Sequence, residues 1–247
     1  MRLTMILFYM LSLLMINEEM SFKEDQLRYP RVRTAYSEKG EFIEALLKDH
    51  KLAKEDIYLF IRAIKDVEIL EVWVSGINHS MYSKLIEYPF CSSSGELGPK
   101  RMQGDGQIPE GYYYIDRFNP ASNFYLSLGI NYPNRSDKIK GNSVSPGGDI
   151  FIHGSCVTIG CIPITDEKIK ELYILAVEAR NNGQLRIPVH IFPSRMDADG
   201  LHLLKHKFQD EERVSFWNQL SEGYMYFENH LKIPEVSISQ DGEYMIN

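Results

Sequence analysis

DIFIHGSCVTIGCIPITD, residues 149–166, is the stretch that decides the fold. It opens with a short, mostly apolar run that predicts a buried strand ending at His153. Near its other end, Thr165 has the chemistry of a helix N-cap, and Asp166 follows in the favourable first turn. One histidine and two cysteines therefore lie between the end of a strand and the start of a helix.

The same stretch combines residue types that suit nucleophilic catalysis. Cys161 can supply a thiolate, because a nearby imidazole or helix N-terminus lowers the pKa of a thiol from its usual value of about 8.5. His153 is a ready proton acceptor, since an unperturbed imidazole has a pKa of about 6.5. Gly160 has no side chain, so a backbone N–H beside the nucleophile can approach a developing oxyanion. The spacing favours a cysteine nucleophile with a histidine base.

Spacing alone leaves three other interpretations open. Cys156 and Cys161 can be small buried hydrophobic residues, as free cysteines often are. They can bind zinc together with His153, although this cluster lacks a clear fourth ligand. They can also pair as a disulfide in an oxidising compartment. The third cysteine, Cys91, stands at a predicted strand end and is expected to be structural, and an odd count leaves at least one thiol over.

Predicted strands surround this stretch. Alternating, β-branched and aromatic runs predict strands at residues 67–75, 83–91, 112–116, 124–128 and 187–192. Residues 131–148 form a long loop rich in Asn, Ser, Pro and Gly, and whether this loop is a lid stays open. An apolar face that begins at Ile169 predicts a helix behind Thr165, with its stop at Asn182-Gly183.

Helical spacing predominates at both ends of the chain. It predicts helices over residues 39–50 and 55–65, whereas residues 24–33 are polar and predicted to be extended. Residues 211–230 predict one or two helices, interrupted at Gly223. The predicted fold class is α+β, a mostly β domain with a helix after the nucleophile and flanking N- and C-terminal helices. The predicted parts are a signal peptide or signal anchor (1–21), an N-terminal helical cap (22–66), a catalytic domain (67–196) and a C-terminal helical extension (197–247).

The N-terminus predicts export to the cell envelope. Met1-Arg2 is positively charged, and the fourteen residues 3–16 carry no charge, a pattern typical of a secretory signal. As a helix this run would rise about 21 Å, less than a bilayer core of roughly 30 Å. An uncleaved anchor and a buried N-terminal helix are the alternatives. The net charge of −7 and the lack of a basic stripe argue against nucleic-acid binding.

Several motifs resemble one known family in the expected order. IHGSCVTIGC, residues 152–161, resembles the active-site signature of the L,D-transpeptidases (the YkuD-like catalytic domain), a His-Gly followed by Ser/Thr-x-Gly-Cys. IPEGY, residues 108–112, resembles the Thr-Pro-x-Gly strand entry of that domain. Stretches similar to the YafK-like branch of the family are SGELGPK (94–100), GDGQIPEGYY (104–113), NPASNFYLSLGINYPN (119–134) and IFPSRM (191–196). The resemblance covers residues 67–196.

This resemblance implies an activity and roles for individual residues. Cys161 would attack the diaminopimelate carbonyl of a peptidoglycan stem peptide, release the terminal D-alanine and form a thioester. An amine of another stem, or of a wall-attached lipoprotein, would then take the acyl group. His153 would be the base, the backbone of Gly154 would orient its ring, and the N–H groups of Gly160 and Cys161 would form the oxyanion hole. The family needs no metal or organic cofactor, and the implied location is the periplasm or cell envelope of a bacterium.

The sequence departs from the broad family pattern around the nucleophile. The histidine and the cysteine are eight positions apart, a short spacing that the YafK-like branch shares. Ile159 stands where many members have a second histidine, and Pro163 stands near the usual place of an arginine that recognises a carboxylate. Cys156 is expected to be packing rather than a resolving thiol. Candidate residues for binding the acidic stem or lining its groove are Ser94, Lys100, Arg101, Asp105, Thr158 and Arg195.

Three other functions compete with acyl transfer to an amine. A hydrolase on the same scaffold would pass the acyl group to water and cleave a diaminopimelate-linked amide. A non-catalytic wall-binding module would not need the thiol of Cys161. A structural zinc domain would hold metal in stoichiometric amounts. Membrane contact is expected only through the N-terminal segment, if that segment is not cleaved.

Overall fold

The structure is a computed structural model that describes residues 20–247. The apolar run at residues 3–16, on which the signal prediction depends, lies outside the described residues. In the part that is described, none of the helices combines the length and the apolar character that a bilayer crossing requires.

A single mixed sheet of eight strands forms the centre of the molecule. Its order is β3-β2-β1-β8-β4-β5-β6-β7, with parallel pairing at β1–β8 and β6–β7 and antiparallel pairing elsewhere. The strands are β1 (Tyr58–Ile64), β2 (Ile69–Ser75), β3 (Ser83–Pro89), β4 (Gly111–Asn119), β5 (Ser127–Ile130), β6 (Phe151–His153), β7 (Ile162–Pro163) and β8 (Ile187–Phe192). A separate hairpin near the C-terminus pairs β9 (Val236–Ile238) with β10 (Tyr244–Ile246).

The sheet curls until its two edges meet. Cys91, which follows edge strand β3, donates its backbone N–H to the carbonyl of Pro163 in the opposite edge strand β7 at 2.9 Å. Apolar side chains inside the curl form the main core with one long helix, so the strands at the two edges share one interior. The closure brings the loop after β3 beside the segment that carries His153 and Cys161.

Within the described residues, six α-helices flank the sheet. They are α1 (Phe22–Leu27), α2 (Pro30–Asp49), α3 (Arg135–Lys140), α4 (Thr165–Asn181), α5 (Ala198–Lys207) and α6 (Glu211–His230). Helix α4 is the buried one: every residue from Ile169 to Ala179 is buried, because α2 covers it on the side away from the sheet. The Thr165 hydroxyl accepts the Lys168 N–H at 3.4 Å, but Thr165 is the first residue of the helix, and the N-cap position belongs to Ile164, which provides no side-chain cap. An α+β fold with a helix after residue 161 is confirmed.

The predicted helix over residues 55–65 is wrong, because residues 58–64 form β1. This strand lies between β2 and β8 and is buried on both faces, so its sequence YLFIRAI has no polar face to display a period of two. The boundary predicted between residues 66 and 67 therefore falls between two paired strands. Residues 24–33, predicted to be extended, belong to α1 and the start of α2. Ser21 and Glu24 form a capping box at the beginning of α1.

At the C-terminal end, α6 runs through Gly223 without a break. A side chain at this position would lie 2.2 Å from the Tyr112 hydroxyl, so the glycine permits close packing of α6 on β4 and does not end the helix. The hairpin of β9 and β10 was not predicted. Its strands have only three residues each, too short to give a periodic signal.

Candidate active site

The register of the β6–β7 pair places His153 and Cys161 on one side of the sheet. Ile152 pairs with Ile162 and His153 with Pro163, and both isoleucines are fully buried in the core. Because neighbouring residues of a strand point to opposite faces, His153 faces away from that core. If the register is extended by one residue toward the N-terminus, Cys161 lies opposite Phe151. Phe151 is two residues from His153 and shares its face, so Cys161 is on that face as well.

His153 is held in a defined orientation. Its Nδ1 hydrogen-bonds to the carbonyl of the next residue, Gly154, which leaves Nε2 for a reacting group. The Phe124 ring covers the imidazole at a centroid distance of 4.6 Å, and His153 is 1% exposed. Burial lowers the pKa of His153 below 6.5, while the bond to Gly154 acts in the opposite direction. The imidazole is therefore neutral at pH 7 and can accept a proton.

Cys161 is the only unpaired cysteine in the chain as described, and it is partly exposed. Its Sγ donates to the Asp149 carbonyl at 3.6 Å. Burial raises the pKa of the thiol above 9, the Asp149 charge raises it further, and the Phe151 N–H and the Lys100 charge oppose this rise. No hydrogen bond joins Sγ to His153 among the described contacts. The raised pKa of the thiol and the lowered pKa of the imidazole leave both groups neutral in the resting state. Hydrogen bonds of this kind are often long without substrate and tighten once it is bound.

The loop before the nucleophile is organised by Thr158. Its hydroxyl donates to the Cys161 carbonyl at 2.8 Å and accepts the Gly160 N–H at 3.1 Å. The sequence predicts the Gly160 N–H as an oxyanion donor and Thr158 as a substrate-binding residue. In this structure the Gly160 N–H has the Thr158 hydroxyl as its acceptor, and that hydroxyl is engaged within the loop. Gly160 is needed for another reason: its φ is +129°, and a Cβ there would lie 2.9 Å from the Gln107 carbonyl.

Gly154 lies where the chain turns from β6 toward α4. A Cβ at this position would lie 2.5 Å from Asp166 Oδ1 and 2.7 Å from the Phe124 carbonyl. The same Asp166 carboxylate accepts the Ser155 N–H at 2.8 Å, with Ser155 at a φ of +61°. The first turn of α4 thus fixes the backbone that orients His153.

Cys156 forms a disulfide with Cys91, and their Cα atoms are 5.3 Å apart. The expectation that Cys156 is mere packing is wrong, and so is the alternative of a bond between Cys156 and Cys161. The zinc interpretation also fails, because a disulfide sulfur cannot serve as the thiolate ligand that it requires. The disulfide ties the loop of residues 154–161 to the segment after β3. Sequence contained a partial signal for it: if Cys161 stays reduced, Cys91 and Cys156 are the two that remain.

Residues 94–107 form the neighbouring loop, and Asp105 organises it. Its carboxylate accepts from Lys100 Nζ at 2.5 Å and from the backbone N–H groups of Arg101, Met102 and Gln107. Burial alone would raise the pKa of Asp105, but these hydrogen bonds hold it below its usual value. Asp105 is therefore the turn residue of this loop. Lys100, 4% exposed, is close enough to Cys161 for its charge to act on the thiol.

A buried ion pair anchors the same loop from below. Lys65 Nζ and Glu110 Oε1 are 2.8 Å apart, and Glu110 also accepts the Gly98 N–H at 2.6 Å. Ser94 donates its hydroxyl to the Gly106 carbonyl at 2.9 Å, so its oxygen closes the loop. The segment beside Cys161 is thus rigid on its inner side.

Two of the predicted cations point elsewhere. Arg195 follows β8, and its Nη1 lies 3.8 Å from Glu71 Oε1 in β2. This contact is on the side of the sheet that α6 covers. Arg101 lies over the Phe216 ring of α6 and 3.7 Å from Asp137. Of the three predicted cations, Lys100 is the one whose charge acts on the pKa of the thiol.

Part of residues 131–148 is ordered as helix α3, which begins with a capping box of Asn134 and Asp137. The rest packs along the Lys100 loop: Gln103 N–H donates to the Ser145 carbonyl at 3.0 Å, and the Tyr132 hydroxyl donates to the Pro146 carbonyl at 2.8 Å. These contacts hold the segment against the loop that carries Lys100.

The chain matches known proteins in two ways. The L,D-transpeptidase catalytic domain family (YkuD) matches residues 80–191. YafK of Escherichia coli (strain K12), provisionally named an L,D-transpeptidase, is 35% identical over 203 residues, which cover 81% of this chain and 78% of that protein.

Solved structures give weaker matches. The helical cell shape determining protein Pgp2 from Campylobacter jejuni is 18% identical over 74% of this chain and 73% of its own, with a TM-score of 0.44. Bd1075 of Bdellovibrio bacteriovorus is 20% identical over 76% and 79% of the two chains, with a TM-score of 0.41. The sequence matches are the decisive ones, and by them the chain belongs to the L,D-transpeptidase family, within its YafK-like branch.

Proposed function

We propose that this protein is a cysteine acyltransferase that acts on the stem peptides of peptidoglycan in the cell envelope of a bacterium. The observation that carries the proposal is that the β6–β7 register sets an unbonded thiol, Cys161, on the same face of the sheet as His153, whose Nδ1 is already bonded to the Gly154 carbonyl. Family membership supplies the substrate class. Export through the N-terminal segment, a lipoprotein acceptor and the identity of the acyl donor are parts of this proposal.

The proposed reaction consists of acylation of Cys161 followed by transfer of the acyl group to an amine. His153 Nε2 takes the thiol proton of Cys161 as Sγ attacks the diaminopimelate carbonyl; the amide C–N bond breaks, and D-alanine leaves with that proton. An amine then attacks the thioester and gives a proton to His153; the C–S bond breaks, and His153 returns that proton to Sγ, which restores the resting thiol. The Cys161 N–H is the remaining backbone donor for the oxyanion, since Thr158 engages that of Gly160.

Electrostatics suit this sequence of steps. A thiol with a raised pKa stays protonated at rest, and a histidine with a lowered pKa stays neutral, so the proton moves when substrate arrives. Lys100 is the charged group that can stabilise the developing thiolate, because its charge already lowers the thiol pKa.

Product analysis with purified muropeptides tests the proposal. We expect a cross-linked product, or exchange of the terminal residue for an added amine, detected by mass spectrometry and absent with Cys161→Ala. Release of the shortened stem to water alone would replace the transferase with a hydrolase. Product formation that is unchanged in Cys161→Ala would refute the thiol mechanism, and no product with either protein would leave a wall-binding module.

A further inference from the structure

A second concave site lies away from Cys161. It is a cavity of about 780 Å³ between strands β4 and β8 and the C-terminal segment that leads into β9. Cavities of this volume are typical of small-ligand sites. Its lining includes neither His153 nor Cys161, and the mechanism above leaves it without a role.

The floor of the cavity carries an unpartnered polar side chain. His190 in β8 is 4% exposed, and its ring packs edge-on against Phe60 and Tyr112 at centroid distances of 4.7 Å. Neither ring nitrogen forms a hydrogen bond within residues 20–247. The His190 ring lines the cavity, and its two nitrogens are not fully enclosed by protein, so the nitrogens are open to the cavity. A buried polar group of this kind is usually satisfied by water or a ligand.

The rim of the cavity is positively charged. Arg135, Lys138 and Arg186 line it and are exposed, and none of them forms an ion pair with a residue that the structure describes. The one carboxylate among the lining residues, Asp116, is already paired with Arg117 at 3.0 Å. Three uncompensated cations around one opening favour a ligand with carboxylates.

Aromatic and proline side chains form the wall between floor and rim. The Arg186 guanidinium lies over the Tyr114 ring at 4.9 Å, and Tyr114 pairs with Pro188 across the two strands. Pro234 is also among the lining residues. Flat apolar faces next to cations suit a ligand that has rings as well as carboxylates.

We propose that this cavity is a second, non-catalytic binding site for a carboxylate-bearing glycopeptide segment of the cell wall. The choice of ligand rests on the proposed function, whereas the site itself rests on His190, the rim cations and the cavity. Binding there would hold the protein on the wall while a stem peptide is delivered to Cys161. Effective concentration then favours the transfer reaction.

The test uses Cys161→Ala protein with ¹³C-labelled isoleucine methyls and a soluble disaccharide tetrapeptide. Ile233 and Ile238 line the cavity, whereas Ile159 lies beside Cys161 and is 87% exposed, so the two sites report separately. We expect saturable shifts at both cavity methyls. The double variant K138Q/R186Q should weaken binding at these methyls at least tenfold and leave Ile159 unchanged, since roughly a factor of ten follows from losing charge-assisted contacts.

A matched control removes the same charge elsewhere. K48Q/K205Q changes two exposed lysines outside the cavity and should bind as the parent does. A muropeptide with amidated carboxyl groups should bind the cavity more weakly. Shifts confined to Ile159, or equal affinity in K138Q/R186Q and its control, would overturn the inference. Cavity binding by a wild-type protein that forms no product would support the inference and refute the proposed function.

Discussion

Two buried histidines, His153 and His190, are the clearest contrast in the molecule. They are 1% and 4% exposed, and burial lowers the pKa of both. Among residues 20–247, His190 has no hydrogen-bond partner, and burial with the nearby charge of Arg62 brings its pKa to about 3. His153 bonds to Gly154, which partly offsets the effect of burial. The comparison teaches that burial alone makes an imidazole neutral, whereas a backbone acceptor keeps it basic enough to take a proton.

The largest effect is expected from removing the base. His153→Ala should slow thioester formation by about a hundredfold or more, the usual scale for a positioned general base. Stopped-flow acylation with a muropeptide donor measures this rate. His206→Ala, an exposed control in α5, should keep the wild-type rate. A His153→Ala rate within a few-fold of wild type would remove this residue from its role.

A second test breaks the link that holds the nucleophile loop. The double variant Cys91→Ser/Cys156→Ser opens a disulfide that spans 65 positions, so we expect a loss of about 2–4 kcal/mol in unfolding free energy. Acylation should slow by roughly tenfold, since a loosened loop misplaces Cys161. Chemical denaturation and acylation rates give both values. Cys161→Ser, which keeps the disulfide, is the stability control; equal stability of the two variants would contradict the tethering role.

The pH dependence of acylation sharpens the comparison further. Because the pKa of His153 is lowered, its neutral form persists below pH 6.5, and the rate should fall only as pH drops through that lowered value. In an NMR titration of Cys161→Ala, His153 should titrate below pH 6.5 but at a higher pH than His190, whose pKa is about 3. Coincident titration of the two rings would show that the Gly154 bond has no effect.

The smallest effect concerns the ring that covers the base. Phe124→Ala removes the aromatic face 4.6 Å from the imidazole and admits water. The desolvation that lowers the His153 pKa then weakens, so that pKa should rise toward 6.5 and the acid limb of the rate profile should move to higher pH. Phe42→Ala, at a comparably exposed phenylalanine in α2, is the control. An unmoved limb in Phe124→Ala would mean that other groups bury the histidine.

The local parts of the site could be predicted from sequence. A strand ending at His153, a loop and the start of a helix follow one another within residues 149–166, so short-range spacing carried the information. The Gly160 N–H could not be assigned in this way, because its acceptor depends on how the Thr158 hydroxyl turns. Arg195 was misplaced because its partner, Glu71, lies in a strand that is distant along the chain.

The long-range parts of the fold were the ones that sequence could not give. Residues 58–64 form a strand that pairs with β2 and β8. A short apolar run does not indicate such pairing, because its periodicity does not distinguish a buried strand from a buried helix. The Cys91–Cys156 bond depends on the curl of the sheet, which brings its two edges together. A glycine at position 223 is typical of a helix break, but here it allows α6 to pack against the Tyr112 hydroxyl.

Intact-mass analysis after incubation with a carbapenem, which acylates members of this family, tests the central claim most directly. The account predicts one covalent adduct on the wild-type protein, mapped to Cys161 by peptide digestion. It predicts none on Cys161→Ala and an adduct retained in Cys91→Ser/Cys156→Ser. An adduct on Cys161→Ala, or on any residue other than Cys161, would contradict the assignment of this thiol as the nucleophile.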